Sequence, residues 1–405
     1  MIASKTNPKL RKIGAHPVTH NGQRGYVLRD PLQLSDQSVF VPQELAVALA
    51  LMDGTNDIPM LKLKLAAQTG MRVPDGLLEH FIDYLDNAYL LDNERAADAL
   101  RQAVDTFRCA GSRPPASAGL SYPAEPDDLR ALLDGYVAAL DEPPADMPGA
   151  RGVLSPHIDY QRGGLTYAAT WTAAATAARE AELVVIFGTD HAGGELLTLT
   201  RQSYATPYGL MPTDQEAVDR LAAAVGGGEA FASELHHRAE HSVELSLTWV
   251  HHMRNGDPVP TVPVLCGSFH GFITDDRAPM DDPAVTAVVE ALQAIAAGRR
   301  TLFVASGDLA HMGPAFGTPP LGWADRAKLY VDDRKLIDAI CAGDAVGFFE
   351  MLKAEGDRRN VCGLAPIYLM LRALGESVGT RVAYDRCPAD EDFTSVVSVG
   401  GVVLE

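Results

Sequence analysis

Beyond residue 150 this chain alternates short segments that are apolar at nearly every position with longer amphipathic stretches, and that alternation constrains its fold most. Gly152 to Ser155, Leu183 to Gly188, Val262 to Cys266, Thr301 to Ser306 and Ser395 to Val403 read as strands. Helices are predicted over Leu165 to Ala181, Thr213 to Ala224, His241 to Arg254, Ala284 to Ala297, Trp323 to Ile340 and Gly363 to Leu374. A strand with no polar face has no side to turn to water, so both of its faces must be covered. Helices alternating with strands supply that cover, which predicts an α/β domain with a largely parallel sheet.

The 405 residues exceed what a single core usually serves, and two Pro/Gly/Ser-rich stretches, Ala110 to Ser121 and Asp141 to Gly152, punctuate them. The first reads as the domain boundary. It divides the chain into residues 1–110, a linker at 111–121 that should be open to proteolysis, and residues 122–405. Before it, Tyr26 to Leu28 and Ser38 to Val41 read as strands, and Gln43 to Met52, Met60 to Thr69 and Asp75 to Ala88 as helices. That order suits a small winged-helix-like module.

Charge excludes some partners. The net charge is -19, and residues 1–100 carry ten Lys and Arg against twelve Asp and Glu, so neither the whole chain nor its first module offers a basic footprint for nucleic acid. Met1 to His20 lacks the apolar run of a secretory signal, and no stretch approaches the ~20 apolar residues of a membrane span. A cytoplasmic protein without membrane contact is the expectation. Five widely spaced cysteines with no C-x-x-C pair suggest reduced thiols.

The polar residues that stand out fall just past predicted strands: His157 and Asp159 in VLSPHIDY, Asp190 and His191 in LVVIFGTDH, Asp308 and His311 in LFVASGDLAH. In open α/β sheets the ligand crevice lies outside the carboxyl ends of the strands, so these distant pairs should converge. Gly188, Gly193, Gly194, Gly307 and Gly313 beside them suit tight loops. Taken singly, such a His or Asp is as often a turn former or helix cap. Cys362 in RRNVCGLAPIYLML begins a predicted helix, whose positive end favours thiolate. Two imidazoles and a thiolate would leave a bound ion with open positions. In AEHSVELSLTWVHH, Glu240, His241 and Glu244 surround a helix start, where they could orient ligands or simply cap a surface helix. His236, His237, His251, His252 and His270 read as solvated or satisfied core histidines.

The ordered set PHIDYQRGG, GTDHAGG, EHSVELSL, SGDLAHMG, VCGLAPIYLML and SVVSVGGVV, preceded by SYPAEPDDLRALLDGYVAAL, resembles the signature segments of the Memo family, the B component of the AmmeMemoRadiSam system. That resemblance implies a fold similar to class III extradiol dioxygenases, which open catechol rings with non-haem iron and O₂. By position it implies a single transition-metal ion, iron first and copper or zinc next, held by His157, His191 and Cys362. Asp308 and His311 are implied as the nearby catalytic pair, His311 as general acid or base and Asp308 orienting it. Two departures stand out: PHIDY where many members have PHAGY, which adds Asp159, and Asp190-His191 where many have two histidines. The first ~100 residues, through LRDPLQLSDQSVFVPQELAVALALMDGTNDIPMLKLKL and LLEHFIDYLDNAYLLDN, resemble a PqqD-like module that grips a peptide.

The function implied is a metal-dependent oxidoreductase acting beside a radical-SAM partner on a peptide or small aromatic substrate. The competing expectation is a metal-binding or scaffold protein that uses the same pocket without turnover, since a fold alone does not fix a function. A hydrolase is disfavoured by the absence of G-x-S-x-G and H-E-x-x-H.

Overall fold

A computed structural model describes residues 7–275 and 277–405; the first six residues of the Met1 to His20 segment lie outside it. The chain divides into two compact units, Met1–Ala110 and Gly111–Glu405. Among the described residues, no helix is long and apolar enough to cross a membrane.

The first unit pairs strands Gly14–His20, Gln23–Arg29 and Val39–Pro42 in an antiparallel sheet, with helices Gln43–Leu51, Ile58–Thr69, Leu77–Asn87 and Glu94–Cys109. Leu28, Val39 and Val41 from the sheet and Leu61, Leu65 and Leu85 from the helices form its core. Two of these elements are missing from the sequence reading. Strand Gly14–His20 is an exposed edge that carries Pro17, so it has no apolar face to betray it. Helix Glu94–Cys109 is amphipathic, with the Asn93 side chain accepting from the Ala96 amide as its cap.

In the second unit the apolar runs build an eight-stranded sheet. Its centre is four parallel strands in the order Gly152–Ser155, Thr301–Ser306, Leu183–Thr189 and Thr261–Cys266. Antiparallel strands flank them: Leu197–Leu199 beside Thr261–Cys266, and Val396–Leu404 beside Gly152–Ser155, the latter also pairing with Gly379–Pro388 and His311–Met312. The mainly parallel centre agrees with the sequence reading. Successive side chains of a strand point to opposite faces. Leu183, Val185 and Phe187 accordingly enter a core with Leu292, Phe348 and Ile367, while Val184 and Ile186 enter a second core with Leu129, Trp171 and Trp249.

The Pro-rich stretch at 111–121 is irregular but is no free linker. Arg113 is fully buried; its guanidinium pairs with the equally buried Glu244 and donates to the carbonyls of His237 (2.8 Å) and Glu240 (2.8 Å). Glu244 also accepts from the amides of Ala116 and Ser117, each at 2.9 Å, and from the Tyr122 hydroxyl. A buried carboxylate is tolerated only when so many donors compensate its lost hydration. The stretch is therefore part of the second unit.

Candidate metal centre

Three of the parallel strands, adjacent in the sheet, release their chains toward one pocket: Gly152–Ser155 leads to His157, Thr301–Ser306 to Asp308, and Leu183–Thr189 to His191. Cys362 comes from the turn before helix Leu364–Leu374. That turn lies directly on the strand exit, since the Gly363 amide donates to the Asp308 carbonyl at 3.0 Å. The approach requires glycine on the strand side, because a Cβ at Gly307 would lie 2.5 Å from the Gly363 Cα. The resulting cavity has a volume of about 860 Å³, with His157, His191, His241, His311 and Cys362 in its wall.

Donor atoms of His157, His191 and Cys362 all lie within 4.8 Å of one another, a grouping that could hold a metal ion. Cys362 Sγ is 3.2 Å from His157 Nε2. Both imidazoles are oriented from behind. His157 Nδ1 sits 3.0 Å from the Ser306 carbonyl, and His191 Nδ1 lies 3.1 and 3.0 Å from the two Glu240 oxygens. Acceptors there hold the proton on Nδ1 and leave Nε2 facing the pocket, the arrangement that metal-binding imidazoles need. Glu240 does this while capping helix His241–Met253, where it accepts from Ser242 N at 2.9 Å. It also holds His241 Nδ1 at 3.2 Å, so the His191 and His241 rings stack 5.1 Å apart.

The donor set is polarised. Burial alone would discharge His157, but the charges of Cys362 and Asp308 outweigh it and push the imidazole up to about 9. Burial likewise opposes ionisation of Cys362, yet His157 and His311 hold the thiol well below its ordinary range. Glu240, desolvated behind the wall, is held well below the carboxylate range by His191 and His241. A thiolate beside two presented imidazoles fits a transition metal in ligand chemistry as well as in spacing.

Other residues singled out by the sequence take different places. Among the described residues, no hydrogen bond joins Asp308 to His311, and the hydrogen bonds of Asp308 lie elsewhere. One of its oxygens accepts from the amides of His157 (2.9 Å) and Ile158 (3.2 Å), while the other lies 3.8 Å from His157 Nε2. His311, on its short strand, has Nδ1 3.2 Å from the Asn360 carbonyl and packs edge-on against Phe316. It still shares the pocket, since atoms of Asp308, His311 and Cys362 form another close group. Asp159 caps helix Tyr160–Ala173 and pairs with Arg162, so its carboxylate is committed away from the histidines. Asp190 is committed too, to His236 Nδ1 (2.9 and 2.8 Å) and the Thr198 hydroxyl (3.1 Å). Glu244 belongs to Arg113 and not to the pocket.

Sequence reasoning missed Asn360, Arg359 and Arg113. Arg359 is buried, pairs with Asp333 and Glu355, and offers its carbonyl to the His311 amide at 2.7 Å. It pins a turn whose non-glycine residues Asp357 (φ 46°) and Asn360 (φ 50°) are left-handed, just before Cys362. Nothing local in the sequence announces such a partner.

Fold and site together define an α/β protein that presents two histidines and a cysteine at the carboxyl ends of parallel strands. The chain belongs to the Memo family, whose Memo-like protein signature matches residues 113–403. A MEMO1 family protein of Aquifex aeolicus is 27% identical over 98% of this chain and 99% of its own length. One from Methanopyrus kandleri is 30% identical over 72% of this chain and 98% of its own. One from Thermus thermophilus is 27% identical over 83% of this chain and 95% of its own. The Aquifex relative thus aligns through the first unit as well as the second, whereas the Methanopyrus alignment leaves about a quarter of this chain unmatched.

Proposed function

We propose that the pocket is a mononuclear redox-metal site and that the protein is an oxidoreductase of the extradiol-dioxygenase type. His157, His191 and Cys362 are the ligands and iron the first candidate ion. One observation carries this reading: three donors from distant segments lie within 4.8 Å, each imidazole already held at Nδ1. Ordinary packing has no need of that presentation. A redox ion in such a site supplies Lewis acidity and electron transfer to whatever binds on its open face.

The chain's own groups do the rest. His311, donating through Nδ1 to the Asn360 carbonyl, presents Nε2 to the cavity as a proton acceptor or, once protonated, a donor. Asp308 fixes the backbone that carries His157. Ile158, Leu245, Phe316 and Val397 line an apolar side of the cavity able to exclude water from a small aromatic group or peptide side chain.

The first unit is read as a PqqD-like winged helix that adds a peptide strand to an open sheet edge, with strand Gly14–His20 offering such an edge. A radical-SAM enzyme in an AmmeMemoRadiSam pathway is the partner this reading implies. The test is O₂ uptake by the iron-loaded protein given catechols or candidate peptides. Uptake that falls in His311→Ala while iron stays bound supports turnover; iron binding with no uptake on any substrate supports the scaffold reading.

A further inference from the structure

Behind the metal centre runs an unbroken line of aromatic rings. It starts at Ile158, the residue after His157, whose carbonyl accepts from the Tyr167 hydroxyl at 2.9 Å. Tyr167 lies 5.0 Å from Tyr160 and is nearly parallel to Trp249, 6.0 Å away between ring centres. Trp249 meets His252 edge-on at 5.6 Å, and His252 stacks against Tyr208 at 5.8 Å. Tyr160, Tyr167 and Trp249 are completely buried, whereas Tyr208 is half-buried.

The polar ends of these rings differ in a way that packing does not require. A phenol gives up an electron readily only if its proton can leave at the same time. Tyr160 and Tyr167 donate to amide carbonyls, of Leu245 and Ile158, which cannot take a proton. Trp249 Nε1 has no hydrogen-bond partner among the described residues. Tyr208 is different: its hydroxyl lies 3.1 Å from His252 Nδ1, and His252 Nε2 lies 3.2 Å from the Asp134 carboxylate. Burial holds His252 below its ordinary range, so it is neutral and free to accept. The Arg130 guanidinium, 5.0 Å from the Tyr208 ring centre, disfavours a ring cation but not a neutral phenoxyl radical.

Among the described residues, three further tyrosines have a basic partner; one of them, Tyr384, donates to Asp333 at 2.9 Å, but that carboxylate is paired with the buried Arg359 and the Tyr384 ring meets only Tyr330. Tyr122 stacks on Tyr160 and donates to Glu244, but protonating Glu244 would strand the buried Arg113. Tyr204 donates to His237, yet among the described residues its ring meets none of this line.

We propose that Tyr208 is a terminal one-electron donor, reached from the metal pocket through Tyr167 and Trp249, with His252 and Asp134 as its proton acceptor. This rests on the redox-metal reading above. The step balances. A peroxide supplies the oxidising equivalents as its O–O bond breaks to water-level oxygen; Tyr208 then returns one electron toward the bound metal, its O–H bond breaking as an N–H bond forms at His252 Nδ1. The products are a neutral phenoxyl radical, an imidazolium beside Asp134 and a metal lowered by one oxidation level. The relay spares Cys362, because a thiolate is otherwise the nearest group to climb to sulfinic and sulfonic acid.

The test uses the full chain loaded anaerobically with iron(II), treated with hydrogen peroxide and freeze-quenched for electron paramagnetic resonance. In parallel, the oxidation state of the iron is followed and Cys362 oxidation is read by mass spectrometry. The expected result is a tyrosyl signal that is lost or relocated in Tyr208→Phe, weakened in Trp249→Phe and kept in Tyr204→Phe. Cys362 oxidation should be faster in the first two variants. Asp134→Asn, at an exposed carboxylate that does not threaten the fold, should also weaken the signal. An unchanged signal and unchanged Cys362 oxidation in Tyr208→Phe, or oxidised iron with no protein radical, would overturn the relay and leave the metal site standing. Failure to bind iron, or iron that peroxide does not oxidise, would overturn both.

Discussion

Cys362 lies 3.2 Å from His157 Nε2 and is the soft member of the donor set, so its removal should alter which metal binds and not only how tightly. Cys362→Ser is expected to weaken Cu(I) more than Mn(II), checked by competition titration with a chromophoric chelator. Glu240 acts one step back. Glu240→Gln keeps the helix cap but loses the charge that faces His191 and His241, and metal affinity should fall about 10- to 100-fold, the usual cost of disturbing such a partner. A third residue governs the response to acid. His237 is fully buried between the Tyr204 hydroxyl and the Thr198 carbonyl, and desolvation pulls it down to about 4. Between that value and an unfolded pKa near ~6.5 the unfolded chain binds the extra proton, so stability is complete above the window and falls as pH drops through it. The loss should approach roughly 3 kcal/mol, seen as a fall in Tm from pH 6.5 to 4 that His237→Gln largely removes.

At the scale of elements, the buried Arg113 joins the start of the second unit to helix His241–Met253, which carries Glu240 at its cap. Arg113→Ala leaves Glu244 buried without its cation and should cost about 3–5 kcal/mol in urea unfolding of the second unit. Proteolysis should spare the bond after Arg113 for the same reason, against the open linker its Pro-rich sequence suggests. That stretch shows what sequence can and cannot convey. Irregular backbone is legible from proline and glycine, but its anchor lies 131 residues away. The four central strands were legible because burial on both faces leaves no charged and no exposed residue in them. Strand Gly379–Pro388 is largely exposed and lacks that mark, and the three-residue strands, the buried Leu197–Leu199 among them, are too short to show it. Likewise His157, His191 and Cys362 were legible as candidates because they follow strands or start a helix. Asp308 was paired with His311 by family resemblance, while its hydrogen bond to the His157 amide spans 151 residues. Glu240 and Glu244 looked equivalent one turn apart, but the first caps the helix and faces His191 and the second faces Arg113.

For the molecule as a whole, the Memo signature and every donor of the pocket fall within Gly111–Glu405, and that unit has its own pair of cores. Metal binding should therefore survive cleavage from the first unit, while capture of a peptide should not. The pocket is expected to hold one ion between two imidazoles and one thiolate. X-ray absorption on the full chain loaded with one equivalent of zinc tests it most directly, because sulfur and nitrogen shells separate at about 2.3 and 2.0–2.1 Å. The expected spectrum has one sulfur and two imidazole nitrogens with room for a further light ligand, and it loses the sulfur shell in Cys362→Ser. A sulfur-free spectrum from the unaltered chain, or a spectrum unchanged by substituting His157, His191 and Cys362 together, would contradict it.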